Sequence, residues 1–257
     1  MRGMKNKKLK NILSITGYFL LVLALCVSVS IVFHNTYYES VYVSGSSMYP
    51  TLKGSNMVTS SYGVDIEEEG SVVDFGIVDT HKAARNNVKR FSIVSTYYPD
   101  DYTAEGVLIG TPNQKIKRVI ALPNETFKIV DSKLYIKENG DFNYIPYTFS
   151  LGEATNINAK DIEETTLGED EYWVLGDNRE KSHDCGSADL KRPIKKDYII
   201  GVLIAIEGQA QLKLKECVCS KCGYKTTDSK VLCPNCTNKL TRNFELKNKE
   251  YHWPKYF

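Results

Sequence analysis

Apolar residues fall into two patterns along this chain. Residues 11–38 hold no Asp, Glu, Lys or Arg, and residues 12–33 are dominated by Leu, Val, Ile, Phe, Ala and small polar side chains. A helix of roughly 20 residues spans a hydrocarbon core about 30 Å thick, so the run predicts one transmembrane helix, placed at residues 11–34. A cleaved secretory signal has a shorter apolar core, followed by a small-x-small site. This run is longer, and no such site lies cleanly before the next segment. A retained anchor is the expectation.

Beyond it the apolar runs are short and separated by turn residues. "YESVYVSG", "RFSIVSTYY", "KIKRVIAL", "KLYIKENGD", "EYWVLGDNR" and "DYIIGVLIAIEG" have the length and β-branched content of strands, with "PN", "NG" and "GDN" as turns. No long helical period follows the anchor, although "EEGSVVDFGIVDTHKAARNNVKR" has room for a short helix. The fold class is therefore mostly β, with one domain over residues 38–207 and a cysteine-bearing tail over residues 211–257.

Charge orients this plan. Arg2, Lys5, Lys7, Lys8 and Lys10 precede the apolar run and few basic residues follow it closely. The positive-inside rule then keeps residues 1–10 cytoplasmic and puts everything after Tyr38 outside. A net charge of +2 over 257 residues argues against a general nucleic-acid binder.

Candidate chemistry starts at "SGSSMYPTL", which closes the first strand. Small residues around Ser47 permit a tight turn, and Pro50 stiffens its exit. Alone, this is an ordinary polar turn, because a serine hydroxyl needs a base to become a nucleophile. None of His34, His81, His183 and His252 stands at an informative spacing from it. A lysine is the other known partner. In "KIKRVIALP" a strand would put Lys117 and Val119 on one face and Ile116, Arg118 and Ile120 on the other. Burial among apolar neighbours would lower the lysine pKa by the roughly 2–3 units that a base near neutral pH requires. On this segment alone a solvated edge lysine fits as well.

Three segments taken in order decide between these readings. "SSMYPTL", "KIKRVIALPNE" and "WVLGDNREKSHD" follow one amino-terminal anchor. They resemble the boxes of the bacterial type I signal peptidase (leader peptidase) family, over roughly residues 12–207. The resemblance implies an extracytoplasmic, β-barrel-like domain and a Ser-Lys serine endopeptidase that removes signal peptides. It makes Ser47 the acylating serine, Lys117 its general base, and Met48 a neighbour of the active site. It pairs Asp177 with Arg118, has the Ser182 hydroxyl contact the lysine amine, and matches Asp184 to the last acid of the third box. It further implies secretory preproteins, membrane lipid and the secretion translocon as partners, with no cofactor for catalysis. Two departures stand in the third box, Cys185 for the usual serine and Gly186 for the usual arginine. Asp184 should then turn to Arg179 or Arg118. Asn124 stands where glycine is common, and Gly45 where some members carry an oxyanion-stabilising serine.

The tail has its own motif. Cys219-x2-Cys222 and Cys233-x2-Cys236, ten residues apart, with Gly223 and Pro234 at the knuckles, suit a small zinc ribbon holding structural Zn2+. Two disulfides are the alternative outside the cell, and Cys217 is left over. Two rivals use the same residues: a self-cleaving repressor-type Ser-Lys peptidase, disfavoured by the anchor, and a membrane-tethered zinc-ribbon adaptor with decayed protease boxes.

Overall fold

A computed structural model of the chain describes residues 2–59, 65–103, 114–131, 133–146, 161–188, 190–226, 232–238, 240 and 243–257, with side chains from residue 14 onward. The basic side chains of Arg2, Lys5, Lys7, Lys8 and Lys10 lie outside the described residues. The chain forms two compact units, Met1–Glu39 and Ser40–Phe257.

The first unit is essentially helix α1 (Arg2–Tyr37). Its segment Ser14–Tyr37 has a mean hydropathy of 2.5 and is long and apolar enough to cross a membrane. Two of its hydroxyls are absorbed locally. Ser28 Oγ donates to Ala24 O at 2.8 Å and Thr36 Oγ1 to Val32 O at 2.7 Å, which lowers the cost of placing hydroxyls in an apolar setting.

The second unit is built of strands, as alternation and β-branched content lead one to expect. In chain order they begin with β1 (Tyr38–Tyr42), β2 (Met57–Thr59), β3 (Asp65–Glu67) and β4 (Val72–Asp79), then the one-turn helix α2 (Lys82–Asn86). Next come β5 (Ile93–Thr96), β6 (Lys115–Ala121), β7 (Thr126–Val130), β8 (Lys133–Glu138), β9 (Asp141–Ile145), β10 (Ile162–Thr166) and β11 (Glu171–Leu175). The last are β12 (Ile194–Lys195), β13 (Ile199–Leu214), β14 (Cys217–Val218), β15 (Lys225–Thr226) and β16 (Phe244–Tyr256). The stretch with room for a short helix divides in two. "VVDFGIVD" is strand β4, and only "KAARN" is helix, capped where His81 Nδ1 accepts from Ala83 N at 3.0 Å.

The main sheet runs β1-β4-β13-β5-β6-β11-β12, with β16 also paired to β13. Among the described residues its end strands do not pair with each other, so the barrel-like expectation takes the form of an open, half-barrel sheet. One edge of β13 pairs with β4; the other pairs first with β5, at Ile199–Val202, and then with β16, at Ala205–Leu214. Strand β13 therefore runs unbroken through positions 207–211, where the sequence suggested a boundary, and β16 returns from the tail to lie along it. A second sheet, β10-β7-β8-β9, shares the larger core with the main one. Phe127 on β7 meets Trp173 on β11 with ring centroids 5.3 Å apart. A smaller core, of Val43, Met48, Leu52, Val78, Ile93, Leu203 and Ile206, includes two residues of the segment that carries Ser47.

Candidate active site

The loop after β1 is held from three directions. Gly45 adopts φ 66°, a left-handed conformation that costs glycine nothing, and its N–H donates to Ser55 Oγ at 2.9 Å. Below, Met48 and Leu52 are each 1% exposed and fill the smaller core. From β4, Asp74 clamps the ends of the loop. Its carbonyl accepts from Val43 N at 2.9 Å, its N–H donates to Lys53 O at 2.7 Å, and its Oδ2 accepts from Lys53 N at 2.7 Å. Its Oδ1 accepts from Gln209 Nε2 of β13 at 2.8 Å.

From the third side comes the turn after β11. Asn178 N–H donates to Ser47 O at 3.0 Å, and Asn178 Nδ2 donates to Ser46 O at 3.1 Å. Gly176 makes this approach possible. A Cβ there would lie 2.2 Å from Ser182 Oγ and 2.4 Å from Ser47 O, closer than atoms can come.

Opposite the loop lies β6. Val94 on β5 is the cross-strand partner of Lys117, which is only 4% exposed. Lys117 Nζ donates to Ser47 Oγ at 2.7 Å. Burial pushes the Lys117 pKa down from 10.5 to about 8, with the Lys115 charge acting the same way and the Asp184 and Asp177 carboxylates opposing. Lys115 is itself engaged, through Asp101 at 2.5 Å, and lies 5.1 Å from the centre of the Tyr98 ring. A neutral amine within reach of the hydroxyl is thus attainable close to physiological pH. With the amine neutral, the contact reverses and the hydroxyl donates.

The next residue points the other way. Arg118 Nε and Nη2 donate to Asp177 Oδ1 and Oδ2 at 2.9 and 2.6 Å, and Nη1 donates to Phe91 O at 2.9 Å. Thr51 Oγ1 donates to Asp177 Oδ2 at 2.5 Å. This buried bidentate pair ties β6, the turn at 176–178 and the serine loop into one piece, and removing one partner of such a pair typically costs about 3–5 kcal/mol.

The arrangement is that of a serine loop, a lysine strand and an acidic turn locked at mutual hydrogen-bond distance. The family model described as Signal peptidase, peptidase S26, matches residues 15–206. The chain belongs to the signal peptidase family. Over 107 residues it is 35% identical to Signal peptidase I V of Bacillus subtilis (strain 168), a match covering 38% of this chain and 61% of that protein. The chain thus spans less than two thirds of that relative's length. A crystal structure of a signal peptidase I from Enterococcus faecalis V583 is 26% identical, with a TM-score of 0.33, covering 46% of this chain and 97% of that one. The family match ends inside β13, so the four-cysteine tail and β16 lie beyond the signal peptidase region.

Within that region the third box differs from expectation in two places. Asp184 turns to the backbone and not to an arginine: Oδ2 accepts from Gly176 N at 2.8 Å and Oδ1 from Gly186 N at 3.0 Å. A Cβ at Gly186 would come within 3.1 Å of Leu175 Cδ2, so a larger residue there would press on the core beside this turn. Ser182 Oγ is buried against Gly176 and the Ser47 carbonyl and makes no hydrogen bond to a described residue, Lys117 included. Met48 adjoins Ser47 in the chain, but its side chain packs in the smaller core. Cys185 is fully buried, and burial pushes its thiol up to about 12, leaving it protonated and inert. Asp74, Thr51 and Asn178 were not singled out from the sequence. The available signal for Asp74 was an acid within the apolar run "SVVDFGIV".

In the tail, Cys219, Cys222, Cys233 and Cys236 bring their four Sγ atoms within 4.8 Å of one another, and all are free thiols. This cluster can hold a metal ion.

Proposed function

We propose that this chain is a membrane-anchored serine endopeptidase that removes amino-terminal signal peptides from secretory preproteins. The observation that carries the reading is the 2.7 Å contact between Ser47 Oγ and the buried amine of Lys117. Neutral Lys117 takes the Ser47 proton as Oγ bonds to the scissile carbonyl carbon. The resulting ammonium gives that proton to the leaving amine as the C–N bond breaks, and an acyl-enzyme remains on Ser47. Lys117 then deprotonates a water, which attacks the ester, and the proton returns to Ser47 as the bond to Oγ breaks. The Ser47 backbone N–H supplies one oxyanion donor. The Gly45 N–H is committed to Ser55 and does not serve as the second.

Substrate and topology belong to the same reading. Residues 1–10 stay in the cytoplasm, α1 spans the bilayer once, and the strand-built unit works on the outer face, where a translocated preprotein presents its cleavage site. Membrane lipid and the secretion translocon are the expected neighbours, and the reaction uses no cofactor. The four thiols of the tail are a structural site for Zn2+ that takes no part in cleavage.

The test is cleavage of a preprotein by detergent-solubilised protein, comparing wild type with Ser47→Ala and Lys117→Ala. Loss of cleavage in both supports the reading; cleavage that persists in either overturns it.

A further inference from the structure

The segment between β13 and β16 repeats one backbone motif. In its first copy Cys219 N–H donates to Tyr224 O at 2.8 Å and Gly223 N–H to Cys219 O at 2.9 Å. In its second, Cys233 N–H donates to Asn238 O at 2.9 Å and Thr237 N–H to Cys233 O at 2.8 Å. Each position of the second copy is the first plus fourteen. In both copies the residue after the second cysteine is left-handed, Gly223 at φ 72° and Thr237 at φ 55°. Glycine takes this conformation freely, whereas a β-branched threonine there is strained. Such strain persists only where the surroundings over-determine the backbone.

The thiols give a reason for it. Cys219 and Cys236 Sγ are 3.5 Å apart, Cys222 and Cys233 3.4 Å, and Cys222 and Cys236 3.6 Å. Zn–S bonds of about 2.3 Å in a tetrahedron give S···S edges of about 3.8 Å, close to these separations. Two disulfides would instead draw the sulfurs into two tight pairs. The donor set also selects the ion. Four thiolates in a tetrahedron suit zinc or iron, and of the two divalent ions zinc binds more tightly.

Among the described residues, few other contacts hold this segment, chiefly Asn238 Nδ2 donating to Ser220 Oγ at 3.1 Å and an ion pair between Lys225 and Glu216 at 3.0 Å. Its buried cluster is Cys219, Cys233 and Leu240, with Tyr224 and Cys236 against it, so cysteines make up most of its core. Strands β14 and β15 pair at only two positions. A module of this size needs a metal or a cross-link to fold. It sits at the closed end of the β13–β16 ribbon, where Lys215 N–H donates to Asn243 O at 2.9 Å and Leu214 pairs with Phe244. Two irregularities interrupt the ladder below, between Ile206 and Gly208 and between Gln209 and Gln211.

We infer that Cys219, Cys222, Cys233 and Cys236 hold one Zn2+ ion whose job is to staple the end of this ribbon and so keep β16 on β13. The inference rests on the zinc reading above and adds the role of the ion. Four S–H protons leave to solvent as four Zn–S bonds form. Without the ion the ribbon is closed by a long loop, whose entropy opposes pairing.

The test uses the full chain in detergent micelles, with metal analysis by plasma mass spectrometry, iodoacetamide labelling read by mass, and limited trypsin digestion. Wild type should carry one zinc per chain, expose four further thiols only after a strong chelator is added, and then lose residues beyond 215 to trypsin at least tenfold faster. The double variant Cys222→Ser/Cys236→Ser should lose the zinc and digest like the chelated protein. Wild-type chelation keeps the test decisive if the variant does not fold. Iron in place of zinc, four thiols that label at once without metal, or a mass lower by four hydrogens would overturn the zinc site itself. Zinc that is bound, with digestion unchanged on chelation, would overturn the staple while leaving the site. Ser47→Ala protein should give the wild-type zinc content and digestion pattern, which separates this result from that of the cleavage assay.

Discussion

The Ser47–Lys117 site and the four-cysteine tip belong to one unit of the chain, but opposite means hold them in shape. Around Ser47 the work is done by burial and by long-range bonds: Met48 and Leu52 in the core, Asp74 from β4, Asn178 and Asp177 from beyond β11, and Lys117 and Arg118 from β6. At the tip the bonds are local and the core is mostly sulfur. The difference follows from what each site asks of its surroundings. A lysine that must give up its proton needs a dry environment assembled from several strands. Four thiolates need only a backbone that aims them at one point, and the ion supplies the rest. Damage to the first should therefore spread through the unit, and damage to the second should stay where it is.

The strongest way to sharpen that contrast is to remove the dyad. Ser47→Ala and Lys117→Ala should each lower kcat/KM for a preprotein by about 10⁴-fold or more, and the double variant should be no worse, because the two act as one device. Additive losses in the double variant would break that picture. Next in size is Gly176→Ala, whose new methyl would meet Ser182 Oγ at 2.2 Å and Ser47 O at 2.4 Å. Moving the serine loop by even an ångström should cost about 10²-fold in kcat, while zinc content at the tip stays at the wild-type value.

The pH dependence is smaller and reports on burial directly. With Lys117 near 8, log kcat/KM should climb by about one per pH unit below that value and level off above it. The same shift bears on stability. Because the folded pKa lies below the unfolded 10.5, the unfolded chain binds more protons between about 8 and 10.5, and stability should rise across that window. Below it the buried ammonium costs roughly 3 kcal/mol. Lys117→Met should therefore unfold at higher denaturant than wild type at pH 7, with the advantage gone by pH 10.5; no gain at pH 7 would mean the amine is solvated. Asp74→Asn should reduce cleavage threefold to tenfold, since one clamp bond is lost and a part-buried donor left without its carboxylate, at about 1 kcal/mol. The smallest effect on cleavage is expected from chelation: less than twofold, even as β16 is released. A large loss of activity on chelation would show that the two regions are not independent.

Much of this molecule was legible in the chain itself. The charge-free run at 11–38 announced a long apolar helix, and the strands containing "KIKRVIAL" and "EYWVLGDNR" lie where their composition put them, as β6 and β11. Strand β4 was harder, because "SVVDFGIVD" precedes the helix-forming "KAARN" and carries an acid in its middle. That acid is Asp74, whose use appears only when β13 supplies Gln209 and the serine loop supplies Lys53. Strand β16 was harder still. Most of its residues are exposed and among the described residues it pairs only with β13, so neither alternation nor apolar content marks it. Asp184 was misplaced for a related reason: the missing arginine was visible, but the backbone amides that replace it belong to a turn formed only on folding.

Sequence alone determined the residue types, their order and their local geometry: the apolar helix, the strand that puts Lys117 and Arg118 on opposite faces, and the two cysteine knuckles. These depend on neighbours a few positions apart, which any reading of the chain can see. Tertiary structure decided the dryness around Lys117, its 2.7 Å distance to a hydroxyl seventy positions away, and the choice of backbone over arginine by Asp184. A pKa and a long-range distance are properties of packing, and packing exists only once every strand is in place.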